Sequence, residues 1–350
     1  MKNRPSDVTY CGVRESVIAA ANPKLNEEAL GLYVHMIKER YKIRLRKDVR
    51  KEPAPWTDDP ILKEYRFTNV RREHDRESIW FIKNIAENVE VSYEDKLLNA
   101  ILFRAFNKSK TSEIIGMPLK FDNIDREAIR AKIQAHEKAH PEYVWFTSAF
   151  ITGGLNRAAG CDVMVKAIGY DVDPFQDTPT FIDRWRVKQP APPAFYLTEN
   201  EARRFIEECP DYELIEAKEM DMRMRMINFV EKIKQDGFIE KVAKAKDQKE
   251  VFTLLTRYKG LADFLSYQIF VDFTYIPEFR FGENEFTISG PGCKAGLDIL
   301  FLNRDGMTHD EAVFWIRNNL ERIADINFYE LFEDLEEHDR CANVMSLENT

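Results

Sequence analysis

No stretch of this chain approaches the roughly 18 to 20 consecutive apolar residues that a membrane-spanning helix needs. The opening MKNRPSDVTY also lacks the apolar run of a secretory leader. The composition therefore predicts a soluble, cytoplasmic chain with no membrane partner. Cysteine is scarce. Cys11, Cys161, Cys209, Cys293 and Cys341 are odd in number, far apart and without a CxxC pair, which argues against a disulfide framework or a zinc knuckle. Three common signatures are missing as well: the GxxxxGK[ST] phosphate loop, a GxGxxG after a strand, and the GxSxG elbow. Their absence removes phosphate-loop kinases and ATPases, dinucleotide folds and the commonest serine hydrolases.

What is present is a globular composition. The 350 residues are 44% hydrophobic and 12% aromatic, enough for a sizeable core. Apolar residues recur at helical spacing in Asn26–Tyr41, Arg72–Asn88, Tyr93–Phe106, Arg126–His136, Thr198–Cys209, Glu213–Glu240, Lys249–Lys259, Leu261–Asp272, Cys293–Phe301 and Thr308–Ile323. Thr198 and Glu201 have capping-box spacing. The small-residue stretch Ser148–Tyr170 predicts a helix after a turn at Gly153 and Gly154, and VKQPAPPAFYL at 187–197 predicts a loop or lobe boundary. The expected fold class is mainly α. The expected division is a basic N-terminal extension (1–54), a helical lobe (55–187) and a second helical lobe (188–350).

Net charge is −9, but it is uneven: residues 1–130 hold 25 basic and 21 acidic side chains, +4, leaving 26 minus 39, −13, for the rest. The basic part is densest in KERYKIRLRKDVRK, residues 38–51. Arg40, Lys42, Arg44 and Arg46 alternate there as on one face of an extended segment, suited to a phosphate backbone; a solvated surface explains them equally well.

Residues 136–140, HEKAH, spell the HExxH zinc-protease signature, whose histidines share a helix face while the glutamate polarises a zinc-bound water. The context argues against it. The helix is polar, Pro141 ends it, and GGLNRAAGCDVMV, about 20 residues on, offers no third ligand. A charged helix end with both histidines facing water is expected instead.

Two other segments carry more chemistry. In YRFTNVRREHDRESIWF (65–81), Arg66, Arg71, Arg72 and Arg76 stand with Asn69 and Asp75 around a helix start. Spacing puts Arg72, Asp75 and Arg76 on one face, an arginine pair steadied by a carboxylate that fits phosphate or pyrophosphate; an interhelical ion-pair network is the plain alternative. In residues 258–301, Gln268 and Asp272 lie four apart in an apolar helix, where a polar pair needs a reason. Further on, Ser289-Gly290-Pro291-Gly292 precedes a helix with Lys294 in its first turn, a start that favours an anion.

Taken together, DPILKEYRFTNVRREHDR, WFTSAF at 145–150, GLADFLSYQIFVDFTY and SGPGCKAGLDILF resemble the alpha-glutamyl/putrescinyl thymine pyrophosphorylase family, over roughly residues 55–347. That family shares its helical domain with bacteriophage 5-hydroxymethyluracil DNA kinases. The resemblance implies a helix-hairpin-helix DNA-glycosylase-like fold and an amino acid:DNA transferase working in a phage-infected bacterial host. Its substrates would be double-stranded DNA carrying pyrophosphorylated 5-hydroxymethyluracil and an amino acid or polyamine. The missing phosphate loop separates the chain from the kinases that prepare this substrate. Residue by residue, the family's Asn-x-x-Arg-x-x-Asp core falls on Asn69, Arg72 and Asp75, its glutamine-aspartate helix on Gln268 and Asp272, and its GPG turn on Gly290, Pro291 and Gly292. Arg72 and Arg76, with that turn, would hold pyrophosphate; Asp75 would orient them; Gln268 and Asp272 would read the uracil edge or take the amine's proton. Arg66, Asn69 and Lys294 complete the binding set. No metal ligand set is implied, and no cofactor is fixed, although an Mg2+ bridging the pyrophosphate is compatible with it. Cys293 stands where the family has a small residue, and the family's cysteine, acidic and aromatic C-terminal motif is not in this sequence. Two rivals remain: a glycosylase using Asp272 to stabilise a sugar cation, and a non-catalytic DNA-binding helical domain of a kinase system.

Overall fold

The computed structural model describes residues 11–146, 163–170, 194–197, 199–214, 222–258 and 261–350. The chain is mainly helical, and it divides into two compact units. Unit 1 takes Met1–Ile82, Lys246–Val251 and Phe270–Thr350; unit 2 takes Lys83–Ala245 and Phe252–Ile269. Both are discontinuous in sequence, a property that a linear reading of composition does not see.

The chain opens with α1 (Glu15–Ala20), β1 (Lys24–Leu25) and α2 (Glu27–Arg44), which continues as a π-helical turn over Leu45–Val49. Next come α3 (Pro60–Glu64), a 3-10 turn at Arg72–His74 and α4 (Arg76–Phe81), followed by a π-turn at Ile82–Ala86. Asn26 caps α2 by accepting from the Ala29 N–H, and Glu27 and Glu28 fill its first turn, where the helix dipole favours acids. The basic stretch 38–51 is therefore helical rather than extended. Alternation in the letters does not survive at 3.6 residues per turn: Arg40 turns inward, 5% exposed, while Lys42 stays outside.

Unit 2 is built on α5 (Tyr93–Phe106), α6 (Ser109–Ile115), α7 (Arg126–Ala139), β2 (Val163–Ala167), β3 (Ala194–Leu197), α8 (Glu199–Glu208), β4 (Tyr212–Leu214), α9 (Met222–Gln235) and α10 (Phe238–Lys244). Helix α11 (Gln248–Thr256) and helix α12 (Asp263–Thr274) each contribute to both units. Helix α5 is buried all round, through Leu97, Leu98, Ala100, Ile101, Leu102 and Phe103, as befits the central helix of a core. Its one interior amide, Asn99, donates to the carbonyls of Asp95 and Leu119 and accepts from the Leu119 N–H, each at 2.8 Å. Strands order β3-β2-β4, antiparallel throughout, with Val165 opposite Phe195 and Leu214. This sheet corrects two expectations. Where a helix was predicted after Gly153 and Gly154, residues 163–167 form a strand, with 147–162 outside the described residues; and Glu213, the predicted start of the next helix, lies in β4, with 215–221 outside the described residues and α9 described from Met222. The proposed Thr198 cap also lies outside the described residues, as do residues 147–150 of WFTSAF and 187–193 of the loop.

Helix α7 ends at Ala139, before Pro141, but His136 does not face water. Its ring packs edge-on to Tyr143 and Trp145, with centroids 4.7 and 5.5 Å away, while His140 is exposed. The Arg223 guanidinium lies over Trp145 and binds Glu137 at 2.5 Å. An aromatic packing role accounts for the HEKAH letters. Among the described residues no group of three or more His, Cys, Asp or Glu forms a metal site, and no helix is long and apolar enough to cross a membrane.

Unit 1 closes with α13 (Pro291–Leu300), β5 (Phe301–Asn303), α14 (His309–Ile323), α15 (Phe328–Leu331) and α16 (Val344–Asn349), β5 pairing antiparallel with β1. Ile37 and Tyr41 of α2 join Phe314 of α14, Phe332 and Val344 in one core. A capping box starts α14: the Thr308 hydroxyl accepts from the Glu311 N–H, and Glu311 accepts from the Thr308 N–H. Glu311 is 2% exposed and also binds Arg14 at 2.6 Å, which with the hydrogen bonds holds its pKa down at about 2. The acidic stretch 330–339 is divided between the end of α15 and a 3-10 turn at Glu337–Asp339. Asp334 turns inward there and accepts from Tyr41 at 2.5 Å.

Candidate functional site

The segment after α3 is extended and then turns sharply, so its side chains spread over several neighbours. Asn69 and Asp75 close the turn on each other: the Asn69 N–H donates to Asp75 Oδ1 at 2.8 Å, and its amide donates to the same oxygen at 3.2 Å and to the His74 carbonyl at 2.8 Å. Asp75 is the residue before α4, with extended backbone. The single helical face expected to pair Arg72 with Arg76 beside Asp75 is broken. Arg72 sits in the 3-10 turn and points into unit 1, whereas Arg76 is exposed and pairs with its neighbour Glu77 at 2.6 Å. The break between the 3-10 turn and α4 removes the helical register on which that pairing rested.

Arg72 is 6% exposed. It donates to the Met345 carbonyl at 3.0 Å and to Glu348 Oε2 at 2.5 Å. The other oxygen of Glu348 accepts from the Gly290 N–H at 3.0 Å, and the Ser289 N–H is taken by Asp310 at 2.7 Å. Carboxylates of the chain thus fill the amides ahead of α13, and Glu348 bridges the arginine motif to the GPG turn. Gly292 and Lys294 lie on the outer, exposed side of the same helix start, and Arg66 is exposed too.

Around Arg72 is a set of groups of which the sequence pointed only to Arg71. Arg71, 6% exposed, binds Glu73 and the carbonyls of Asp339 (2.8 Å) and Cys341 (3.1 Å), with its guanidinium over Phe332. Glu283 accepts from Asn343 at 3.2 Å. Burial, then Glu73, push the Glu283 carboxyl up to about 8 despite Arg71 and Arg72, so it is largely protonated at neutral pH. Burial, then Glu283, Glu73 and Asp272, hold the Tyr275 phenol well above its ordinary value. Glu73 Oε2, Glu283 Oε1 and the Tyr275 hydroxyl are buried and make no hydrogen bond within the protein, a rare condition that marks a polar interior with capacity to spare. Asp272 is fully buried within unit 1; Gln268, one turn earlier in α12, is half-buried and belongs to unit 2. Cys293 has its thiol pushed up to about 12 by burial and then by Glu348, which disfavours a thiolate.

In unit 1, then, Asn69, Arg72 and Asp75, the Asp272 turn and Gly290 are gathered around Arg71, Glu73, Tyr275, Glu283 and Glu348. Arg66, Arg76, Gly292 and Lys294 lie on the surface. The only advance signal of the missed groups was the doubled Arg71-Arg72; nothing local singles out Glu283 or Glu348.

The strands described form only small antiparallel sheets, so the fold and this cluster define a helical domain rather than a parallel α/β nucleotide-binding one. Residues 27–350 match the family described as "5-hmdU DNA kinase, helical domain", and the chain belongs to that family. A 5-hmdU DNA kinase of Bacillus phage SP10 is 24% identical over 325 residues, covering 89% of this chain and 42% of that protein. The chain thus spans less than half the length of this relative. No solved structure matches it.

Proposed function

We propose that this chain acts in thymine hypermodification, as a transferase that replaces the pyrophosphate of 5-pyrophosphoryloxymethyluracil in DNA with an amino acid or polyamine. The amine nitrogen bonds to the exocyclic methylene carbon as its C–O bond breaks; pyrophosphate leaves with the electron pair, and the amine's proton passes to a carboxylate. The observation that carries this reading is the Glu348 carboxylate, seated between the Arg72 guanidinium and the Gly290 N–H. A cation and a helix-start amide converging on one carboxylate suit an anion, and the departing pyrophosphate would take that position when Glu348 swings away. Asp272, whose carbonyl accepts from the Tyr275 N–H, would receive the proton. A helix-hairpin-helix glycosylase-like fold and an extruded target base belong to the same proposal.

The test is nucleoside mass spectrometry after incubating pyrophosphorylated hydroxymethyluracil DNA with the protein and mixed amino acids. A heavier nucleoside with matching pyrophosphate release is expected; release of a free base would replace this reading with a glycosylase. A second reading is favoured by the kinase relative of more than twice the length: the chain would be the DNA-recognition domain of a kinase system. It predicts salt-dependent DNA binding with no change in nucleoside mass.

A further inference from the structure

One surface segment of unit 1 joins the buried cluster and departs from ordinary surface chemistry. Tyr65 is 59% exposed and Phe67 46%, with Ile61 57% exposed one helical turn before Tyr65. Arg66, between them in sequence, is exposed and makes no ion pair or hydrogen bond among the described residues. Large apolar groups gathered on a surface, interleaved with an unneutralised cation, mark an interaction site rather than a solvated face.

The segment is also held rigidly. The Tyr65 N–H donates to the Ile61 carbonyl at 2.9 Å, and Asp59, which caps α3, accepts from His35 at 2.8 Å. At the other end the buried Arg40 binds the Thr68 carbonyl through Nε (3.0 Å) and Nη2 (2.5 Å), and the Thr68 hydroxyl at 3.0 Å. Its guanidinium carbon lies 6.0 Å from the Phe67 ring centroid. Phe67 is thus an aromatic ring approached by a fixed cation while nearly half of the residue remains open to solvent. Such a ring is preorganised to stack a flat π-system at little ordering cost.

We propose that Tyr65, Arg66 and Phe67 form a stacking platform for unpaired nucleobases of DNA, the rings taking bases and Arg66 the phosphate between them. The inference rests on the reading above that DNA is the partner, and adds to it where an unpaired strand is held. Ring faces of bases are hidden in a duplex and available in a single strand or beside an extruded nucleotide, so the platform discriminates strand state and not sequence. The segment continues directly into Asn69 and Asp75, which ties the bound strand to the buried cluster.

Fluorescence anisotropy with an end-labelled single-stranded thymidine oligonucleotide, its duplex, and an abasic strand of the same length tests this. Wild type is expected to prefer the single strand over both competitors. Phe67→Ala is expected to weaken single-strand binding roughly 5- to 150-fold, the range that losing one stacked base gives, with little change on the abasic strand. Phe67→Trp should keep the affinity and show tryptophan quenching on binding, a readout available even if the alanine variant folds poorly. Equal binding of base-bearing and abasic strands, or wild-type affinity in both Phe67→Ala and Tyr65→Ala, overturns the platform while leaving DNA as partner. No DNA binding by wild type overturns the platform and the functional reading together. Loss of self-association in Tyr65→Ala with unchanged DNA affinity would give the surface to a second copy of this chain instead.

Discussion

Replacing Glu348 with glutamine removes one charge from a buried ion pair of unit 1 while keeping the side chain's shape. The pair is 7% and 8% exposed at the side chains, with N–O at 2.5 Å, so water cannot screen the arginine that remains. Breaking a buried pair from one side costs about 3–5 kcal/mol, because a charge stays inside without its partner. Arg72 keeps the Met345 carbonyl, and the glutamine oxygen can still accept from Gly290, which places the expected loss near the lower end, about 3 kcal/mol. Replacing both partners, Arg72→Met with Glu348→Leu, removes the stranded charge and should cost much less than the sum of the two single changes. Urea unfolding at pH 7 followed by tryptophan fluorescence reads unit 1 through Trp315, which lies in its core. A Glu348→Gln midpoint matching wild type, or a double variant as weak as the summed singles, would refute the argument that this pair governs the site's electrostatics.

Glu283 should make stability fall with rising pH. Its folded carboxyl keeps its proton up to about 8, whereas the unfolded side chain releases it near the ordinary glutamate value of 4.5, so the folded state binds more protons between these values and loses ground as pH rises through them. Chemical denaturation at pH 6 and pH 8 should show this fall in wild type and a flatter profile in Glu283→Gln; parallel profiles would count against a buried protonated carboxyl. Opposite in sign is His74, whose pKa burial lowers to about 4: stability it contributes is lost as pH drops from about 6.5 to 4, and His74→Phe should flatten that acid limb. In unit 2, Asn99→Leu strands the Leu119 N–H and carbonyl and should destabilise by about 3 kcal/mol, measured as a lower melting temperature; a change below about 1 kcal/mol would mean that the loop finds other partners. Cys293 should resist iodoacetamide at pH 8 in the folded protein and react once urea unfolds it, as peptide mass spectrometry would show; rapid labelling of the native state would count against a buried, protonated thiol.

The sequence spoke clearly where one local pattern decides the outcome. Tyr93–Phe106 was readable to the residue because its apolar groups recur all round and Ser92 caps it; α14 was readable because Thr308 stands immediately before a strongly periodic run. Short strands were not readable. VMVKA is five residues long, and its pairing with β3 and β4 depends on segments some 30 and 50 residues away, so no period within it separates strand from helix. The basic stretch 38–51 misled for a related reason: charges alternating in the letters were read as a strand face, but the apolar groups at Ile37, Tyr41 and Leu45 keep a four-residue rhythm that sets the helix.

The same distinction separates what could and could not be read at the site. Motif letters at 69–75, 272 and 290 fall on residues of unit 1, and each lies in a segment with its own local logic: a closed Asn–Asp turn, a polar break in an apolar helix, a glycine before a helix. Which charge meets which is a long-range matter. Arg72 was expected beside Asp75 and Arg76, three and four residues away; a carboxylate that binds it, Glu348, lies 276 residues on. A guanidinium inside a core must find a counter-charge wherever the fold supplies one, because leaving it unpaired costs more than any local spacing preference is worth. The buried Arg71 and Arg72 therefore dictate that carboxylates converge on them. With Glu73 and Glu348 engaged, Glu283 retains its proton in preference to adding a further buried negative charge, leaving a carboxyl beside Tyr275 that can donate as well as accept.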